Sequence, residues 1–344
     1  MLDRPTLKQV SERAGVSIFT ASRALTDGDG VSQGTRERVR DIARELGYIP
    51  NQMARNFRAA ASNFVGFLTA NSENQFYVGL IAAFQRCIQG QGYNCFVTDA
   101  VVDGRYSTER EDLFVSAMLE QRAAGVVLTH VPTEANLDRL MAFGLPLVFV
   151  DCVPTVELSG VSTVTTDGRS AAAEVGDLFA TQGRRNWLLV AHAADWNTRQ
   201  AREEGFREAA ERAGARLTVI EGKNDVDAAE TAVETWVRSD GRADAVLCTN
   251  EILLNGTRRA LAKAGWRVPD DVALVSFDDF PWAEQLVPPA TVVAQPTREM
   301  GARAAEMMLE LLCMRDNART AARQEVLPTR LVRRGSCGSI NSSH

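Results

Sequence analysis

Residues 6–25 read TLKQVSERAGVSIFTASRAL. Thr6 and the glutamine three positions later match a capping box, and the apolar spacing after them predicts a short helix. Gly15 suits the end of that helix, because glycine adopts positive φ without strain. Ser17 then caps a second predicted helix over residues 18–25. Two short helices joined by a glycine-containing turn are typical of a helix-turn-helix, and an ordinary three-helix core is the alternative.

Two further helical segments are predicted after this pair. Ser32 caps a helix with regularly spaced apolar residues, and Gly47 ends it. The next run, NQMARNFRA at residues 51–59, is too short and too polar to be a stable helix by itself. It carries two arginines and Phe57, an aromatic residue with no core to join. This composition favours a helix that folds on DNA and inserts an apolar side chain between base steps.

The charge of the chain is unevenly distributed. The net charge is −6 over 344 residues, yet residues 1–60 carry ten basic and seven acidic side chains, a balance of +3 that leaves −9 for the rest. A basic head on an acidic body is consistent with a DNA-binding module attached to a larger domain. The length also exceeds a single ordinary core, so we expect two or more domains.

Several classes of protein are disfavoured by what the sequence lacks. It has no apolar run long enough for a membrane span and no apolar stretch near Met1 typical of a signal peptide, so we expect a cytoplasmic location. The six cysteines are scattered and the histidines number three, so neither a metal site nor any cofactor is expected. Without a G-x-S-x-G or P-loop motif, an enzyme is not expected either.

From residue 63 onward, short apolar strands alternate with helices. Strands are predicted at 64–68, 95–98, 125–128, 145–150, 187–190, 217–220, 245–248 and 272–275, with helices including 78–89 and 108–121. This alternation predicts parallel sheets covered on both faces, in two lobes of an α/β fold. Asp151, Asn250 and Asp278 directly follow strands. Because ligands of parallel sheets gather at the carboxyl ends of strands, we expect a small-molecule site there.

The first part of the chain resembles the headpiece of the lactose-repressor family of transcription regulators. The motifs that carry the resemblance extend from the segment 6–25 through VS at 31–32, TRERV at 35–39 and LGYIPN at 46–51 to AR at 54–55. The DNA-contacting residues that this resemblance implies are Ser17, Ile18, Phe19, Thr20, Ser22, Arg23, Asn51, Arg55 and Phe57.

The resemblance also implies a role for several of these residues. Arg23 is placed to donate two hydrogen bonds to guanine, whereas Ile18 and Phe19 offer apolar contact, most readily to thymine methyl groups. Polar residues are common at those two positions in the family. Phe57 stands where the family has a leucine that wedges into the minor groove at the operator centre.

Residues 63–334 resemble the sugar-binding-protein-like core of the same family, through motifs such as NQFY at 74–77, TNE at 249–251 and SFDD at 276–279. The implied effector-binding residues are Asn74, Phe76, Asp151, Trp196, Arg202, Asn250, Asp278 and Trp282. The alternatives to effector binding are that the aspartates cap helices or solubilise loops and that Trp282 only packs against its neighbours.

The sequence thus predicts an all-α helix-turn-helix headpiece (1–49), a hinge helix and linker (50–62), a two-lobed, doubly wound periplasmic-binding-protein-like core (63–334) and a flexible tail (335–344). We expect a repressor that binds a near-palindromic operator as a homodimer, because no heptad repeat for a tetramer follows Arg334. A sugar or sugar acid bound between the lobes is the expected effector. A ligand-dependent activator and a small-molecule binding protein without DNA are the alternatives.

Overall fold

The computed structural model describes residues 5–26, 29–48, 62–102, 105–154, 161–193, 196–313 and 323–338. The chain divides into two compact units, Met1–Ser62 and Asn63–His344, which are described separately below.

The described residues of the first unit form three helices around a small apolar core. They are α1 (Leu7–Ala14), α2 (Ile18–Leu25) and α3 (Gln33–Leu46). Both hydrogen bonds of the capping box form, because the Gln9 N–H donates to Thr6 Oγ1 (3.3 Å) and the Thr6 N–H donates to Gln9 Oε1 (2.7 Å). Gly15 ends α1 at φ 65°, as predicted. The buried core residues are Val10, Ala14, Ala21, Ala24, Val39 and Ala43.

The second unit begins with the elements of its first lobe. The strands are β1 (Phe64–Thr69), β2 (Asn94–Asp99), β3 (Val101–Val102), β4 (Arg105–Tyr106), β5 (Gly125–Leu128), β6 (Leu147–Val150) and β7 (Ser162–Thr166). The helices are α4 (Gln75–Gln89), α5 (Thr108–Glu120) and α6 (Glu134–Ala142). Helix α4 starts three residues before the predicted position, because the Asn74 side chain caps it by accepting from the Phe76 N–H.

The second lobe follows with strands β8 (Asn186–Ala191), β9 (Arg216–Glu221), β10 (Ala245–Cys248), β11 (Ala273–Phe277) and β12 (Thr291–Ala294). Its helices are α7 (Gly168–Thr181), α8 (Asn197–Ala213), α9 (Val226–Arg238) and α10 (Glu251–Lys263). The last elements are α11 (Thr297–Cys313), β13 (Gln324–Leu327) and β14 (Arg330–Val332).

Each lobe is built on a six-stranded sheet with helices on both faces. The strand orders are β13-β7-β6-β5-β1-β2 in the first lobe and β14-β12-β11-β10-β8-β9 in the second. Among the described residues, the pairs in these two sheets are parallel as predicted except that of β14, which runs antiparallel to β12. Strands β3 and β4 form a separate antiparallel pair. The chain crosses between the sheets three times, after β7, β12 and β13. The carboxyl ends of β6 and β11, one strand in each sheet, are thereby brought to the same cleft.

The packed core continues past the predicted boundary at Arg334. Residues Gly335–Cys337 form a 3-10 helix, in which the Ser336 hydroxyl donates to the Leu274 carbonyl and Cys337 is buried among the apolar residues of the second lobe. The prediction that a flexible tail starts at residue 335 is therefore wrong, because 335–338 are packed. No helix in the described ranges is long and apolar enough to cross a membrane.

Candidate functional sites: helix α2 and the inter-lobe pocket

Helix α2 presents an exposed polar and aromatic face. Ala21 and Ala24 turn inward to the core, while Ile18 and Phe19 remain 46% and 65% exposed. Ser17 caps the helix, since its Oγ accepts from the Thr20 N–H at 3.0 Å. Local packing thus leaves the first turn of α2 open to a partner, although isolated exposed apolar side chains alone would be unremarkable.

The predicted reading residues on α2 are not independent of one another. The guanidinium carbon of Arg23 lies 5.2 Å from the ring centroid of Phe19, one helical turn earlier, which is a cation–π distance. Ser22 and Arg23 are both half-buried. The other predicted DNA-contacting residues, Asn51, Arg55 and Phe57, lie outside the described residues.

In the second unit, the structure brings seven of the eight predicted effector residues to one pocket between the lobes. These are Asn74, Phe76, Asp151, Trp196, Arg202, Asn250 and Asp278. The cavity measures about 20 Å³, room for about one water molecule. Trp282 does not line it, because its ring tilts against Phe280 at 5.3 Å beside a 3-10 helix and is 37% exposed.

Arg202 enters the pocket from α8 and is almost fully buried. Its Nη1 donates to the Thr249 carbonyl, its Nη2 lies 4.0 Å from Asp151 Oδ1, and its guanidinium stacks 4.2 Å from the centroid of the Phe277 ring. Its Nε has no hydrogen-bond partner in the described part of the chain. A buried hydrogen-bond donor without a partner costs free energy, so Arg202 Nε would gain stability by donating to a further acceptor.

The two aspartates occupy equivalent places in the two lobes. Asp151 follows β6 at φ 59° and Asp278 follows β11 at φ 70°, both in the left-handed region. Asp151 Oδ2 accepts from the Tyr77 hydroxyl at 3.0 Å, and Asp278 Oδ1 accepts from Gln295 Nε2 at 2.6 Å. Both side chains are buried, and neither residue is the N-cap of a described helix. These contacts argue against the helix-cap and loop-solubiliser alternatives.

Burial raises the pKa of the carboxyl groups in and beside the pocket. Burial raises the pKa of Asp151 to about 7, against the attraction of Arg202, and burial also raises the pKa of Asp278. Burial likewise raises the pKa of Glu251 to about 7. Glu251 Oε1 accepts from the Gln75 N–H across the cleft at 3.3 Å, while its Oε2 has no partner among the described residues.

The asparagines and Trp196 are held by specific neighbours. The side chain of Asn250 caps α10 through the Leu253 N–H and donates to Asn224. Trp196 precedes α8 in the second lobe, yet its ring packs 4.5 Å from His130 of the first lobe. Trp196 therefore joins the lobes as well as lining the pocket.

Five further polar side chains line the pocket that sequence reasoning did not select. They are Tyr77, His192, Thr198, Asn224 and Gln295. Tyr77 belongs to the NQFY motif quoted above, so it could have been found from the sequence. His192 accepts or donates at Thr249 Oγ1 (2.7 Å), and burial lowers its pKa, which keeps the imidazole neutral. Within the described ranges, no group of His, Cys, Asp or Glu side chains could hold a metal ion.

Comparison with known proteins gives two family matches. Residues 6–51 match the family described as bacterial regulatory proteins, lacI family, and residues 177–337 match the periplasmic binding protein-like domain.

Similar proteins cover nearly the whole chain. The HTH-type transcriptional regulator GntR of Pseudomonas aeruginosa is 29% identical over 92% of both chains, and the HTH-type transcriptional repressor CytR of Escherichia coli K12 is 26% identical over 97% of both. A solved transcriptional regulator CelR–cellobiose complex is 26% identical, with a TM-score of 0.71 over 97% of this chain and 100% of that one. The lac repressor dimer bound to operator has a TM-score of 0.79 at 23% identity over 98% of this chain and 100% of that one, a likeness of fold.

Proposed function

Because the chain belongs to the lacI family of bacterial DNA-binding transcription regulators, we propose that it is a homodimeric repressor whose operator affinity changes when a neutral sugar binds between its lobes. The inter-lobe pocket is the observation that supports binding of a small-molecule effector, because buried donors and acceptors from both lobes converge there.

The exposed face of α2 supports an apolar and arginine-based reading of DNA. Arg23 reads a guanine through its O6 and N7 atoms, and Ile18 and Phe19 contact thymine methyl groups in the major groove. The N-terminal turn of α2, with Ser17 and Thr20, lies against phosphate. The operator half-site is therefore expected to carry thymines beside an arginine-read guanine.

The charge of the pocket favours a neutral effector over a sugar acid. Asp151 and Asp278 share one arginine, Arg202, which already donates to a carbonyl, and the Glu251 carboxyl interacts with Asp278. A ligand carboxylate would add negative charge to buried carboxyls whose pKa values burial already raises. Sugar hydroxyls can instead donate to the aspartates and accept from Arg202 Nε and the Asn250 amide. The similar CelR protein was solved as a cellobiose complex, which is consistent with this class.

Entry of a sugar requires the lobes or their side chains to move. A cavity of about 20 Å³ holds no sugar ring, and Trp196 and Glu251 both make contacts across the cleft. A ligand that fits only after those contacts rearrange binds one lobe arrangement better than the other, and it shifts their populations accordingly. A coupling of about 1–3 kcal/mol between effector and operator is typical of such systems.

Exposed apolar side chains on an edge strand support the homodimer. β2 is an edge strand of the first sheet, and it exposes Phe96 (54%) and Val97 (39%). Uncovered edges invite pairing, so natural proteins usually cover them. We propose that the second subunit covers this edge.

The effector proposal is tested with a panel of neutral sugars and their aldonic acids, scored by the melting temperature of the full chain. We expect a neutral sugar to raise it and to change operator affinity, and Asp278→Asn to abolish both effects. Asp240→Asn is the matched control, because Asp240 is also left-handed but fully exposed. A hit among the acids alone would refute the neutral class.

A further inference from the structure

A second, larger cavity lies beside the inter-lobe pocket. Its volume is about 270 Å³, and it shares Asp151, Thr198 and Arg202 with the pocket as a common wall. Its other lining residues are Cys152, Val153, Thr165, Thr166, Gly168 and Ala201. The two spaces are therefore neighbours that are separated by the Asp151–Arg202 pair.

The wall of this second cavity is mostly apolar and uncharged. Val153, Ala201 and Gly168 supply aliphatic surface, and burial raises the pKa of the Cys152 thiol, which keeps it neutral. The two charged groups of the shared wall are turned to other partners, since Asp151 accepts from Tyr77 and Arg202 donates to a backbone carbonyl. Because the charges of Asp151 and Arg202 lie 4.0 Å apart and offset each other, a charged ligand would find little net counter-charge here.

A further polar group of the wall is the hydroxyl of Thr165. The half-buried hydroxyl of Thr165 makes no hydrogen bond with any residue in the described part of the chain, whereas Thr166 and Thr198 are bonded to Gln295 and His192. A hydroxyl beside apolar surface can hold a single carbonyl or ether oxygen of a ligand.

The size of the cavity sets the size of its occupant. An apolar cavity of roughly 150 Å³ suffices to bind benzene, so 270 Å³ accommodates a six-membered ring with a small substituent. The inner pocket, at about 20 Å³, does not. The lack of a side chain at Gly168 leaves room for Arg202, because a Cβ there would lie 3.3 Å from Arg202 Cγ.

We propose that this second cavity is a binding subsite for a small, neutral, ring-shaped molecule with one hydrogen-bonding oxygen, held by apolar contact and by the Thr165 hydroxyl. The inference rests on the proposed function in one respect. The ring is a substituent of the effector proposed above, or it is a separate ligand. Thr165 comes from β7 of the first lobe and Ala201 from α8 of the second, so the occupant contacts both lobes. It favours the lobe arrangement in which both walls contact it and thereby biases operator affinity.

Benzamide, a neutral ring with one carbonyl oxygen, is the probe. Its binding to the full chain is measured by saturation-transfer NMR. We expect binding to be lost in Ala201→Phe, which fills the cavity, and weakened roughly threefold or more in Thr165→Val, which removes one hydroxyl and keeps the shape. Ala262→Phe, the same change at an exposed helical alanine, is the control and should bind benzamide normally.

The outcomes separate this inference from the proposed function. Benzamide binding that persists in a folded Ala201→Phe overturns the subsite, and if that variant does not fold, unchanged affinity in Thr165→Val overturns it instead. Wild-type chain that binds benzamide but no operator would refute the repressor and leave the subsite standing. Competition between benzamide and the neutral sugar found by thermal shift distinguishes a substituent of the effector from a separate ligand. Mutual exclusion indicates a substituent of the effector, and simultaneous binding indicates a separate ligand.

Discussion

The contact between Phe19 and Arg23 makes a quantitative prediction about DNA reading. The Arg23 guanidinium lies 5.2 Å from the centroid of a ring that is 65% exposed. The ring restricts a flexible side chain that must meet a guanine edge in one geometry. Phe19→Leu retains an apolar side chain for thymine contact but removes the π face, so it isolates the support given to Arg23.

The size of the effect follows from the geometry. A cation–π contact at an exposed site contributes about 0.5–1 kcal/mol, which corresponds to a loss of roughly two- to fivefold in operator affinity. Arg23→Ala removes the guanine contact itself, and about 1–3 kcal/mol of base discrimination with it. If the ring acts through the arginine, Phe19→Leu has little further effect in the Arg23→Ala background, and the coupling between the two changes is about 0.5–1 kcal/mol.

The assay is fluorescence anisotropy at one fixed salt concentration, with an operator selected from random DNA by the wild-type chain. Ile18→Leu is the control, because Ile18 is exposed on the same turn and makes no ring contact with Arg23. Binding to unrelated DNA should be unchanged in Phe19→Leu. Additive effects of the two substitutions, within about 0.3 kcal/mol, would show that Phe19 and Arg23 act independently and would refute the reasoning.

Three further predictions concern the second unit, Asn63–His344. Gly205→Ala places a methyl group on the backbone carbonyl of Arg169 in the neighbouring helix, so the urea midpoint should fall by the equivalent of about 3 kcal/mol or more, whereas Gly90→Ala, where a Cβ has room, should change little. Burial raises the pKa of Asp151 from 3.8 to about 7, so the folded chain holds the extra proton between these values and its stability falls as pH rises through them. Asp151→Asn should flatten this dependence of the free energy of unfolding on pH, which amounts to at most about 4 kcal/mol in total. A urea-midpoint profile from pH 4 to 8 that is the same in the variant would contradict the burial argument. Phe96→Lys should shift the sedimentation coefficient toward that of a monomer, because it places a charge on the apolar edge; retention of a full dimer would remove β2 from the interface.

Prediction from sequence succeeds best where the contacts are local. The capping box of α1, the Ser17 cap and the left-handed Gly15 involve atoms within about four residues, so their spacing is visible in the chain. The strand–helix alternation is equally visible where strands are apolar runs. It fails for β7, which reads STVTT, because a strand rich in threonine shows no apolar run.

The pocket shows the limit of that reasoning. Its predicted aspartates, asparagines and arginine follow strands or lie in motifs, but Gln295 reaches Asp278 from the second crossover and bonds Thr166, 129 residues earlier in the chain. Trp196 and Trp282 look alike in sequence, yet one joins the two lobes and the other packs beside a surface turn.

The helices of the headpiece, the α/β class of the core and most of the polar residues of the pocket could be predicted from the amino-acid sequence. Those features depend on local hydrogen bonds and on the period of apolar residues. Only the tertiary structure shows that the cleft is too narrow for a sugar, that residues 335–338 complete the second lobe, and that a second cavity shares the Asp151–Arg202 wall. These depend on distances between side chains that three crossovers bring together from remote parts of the chain, and no local pattern encodes such distances.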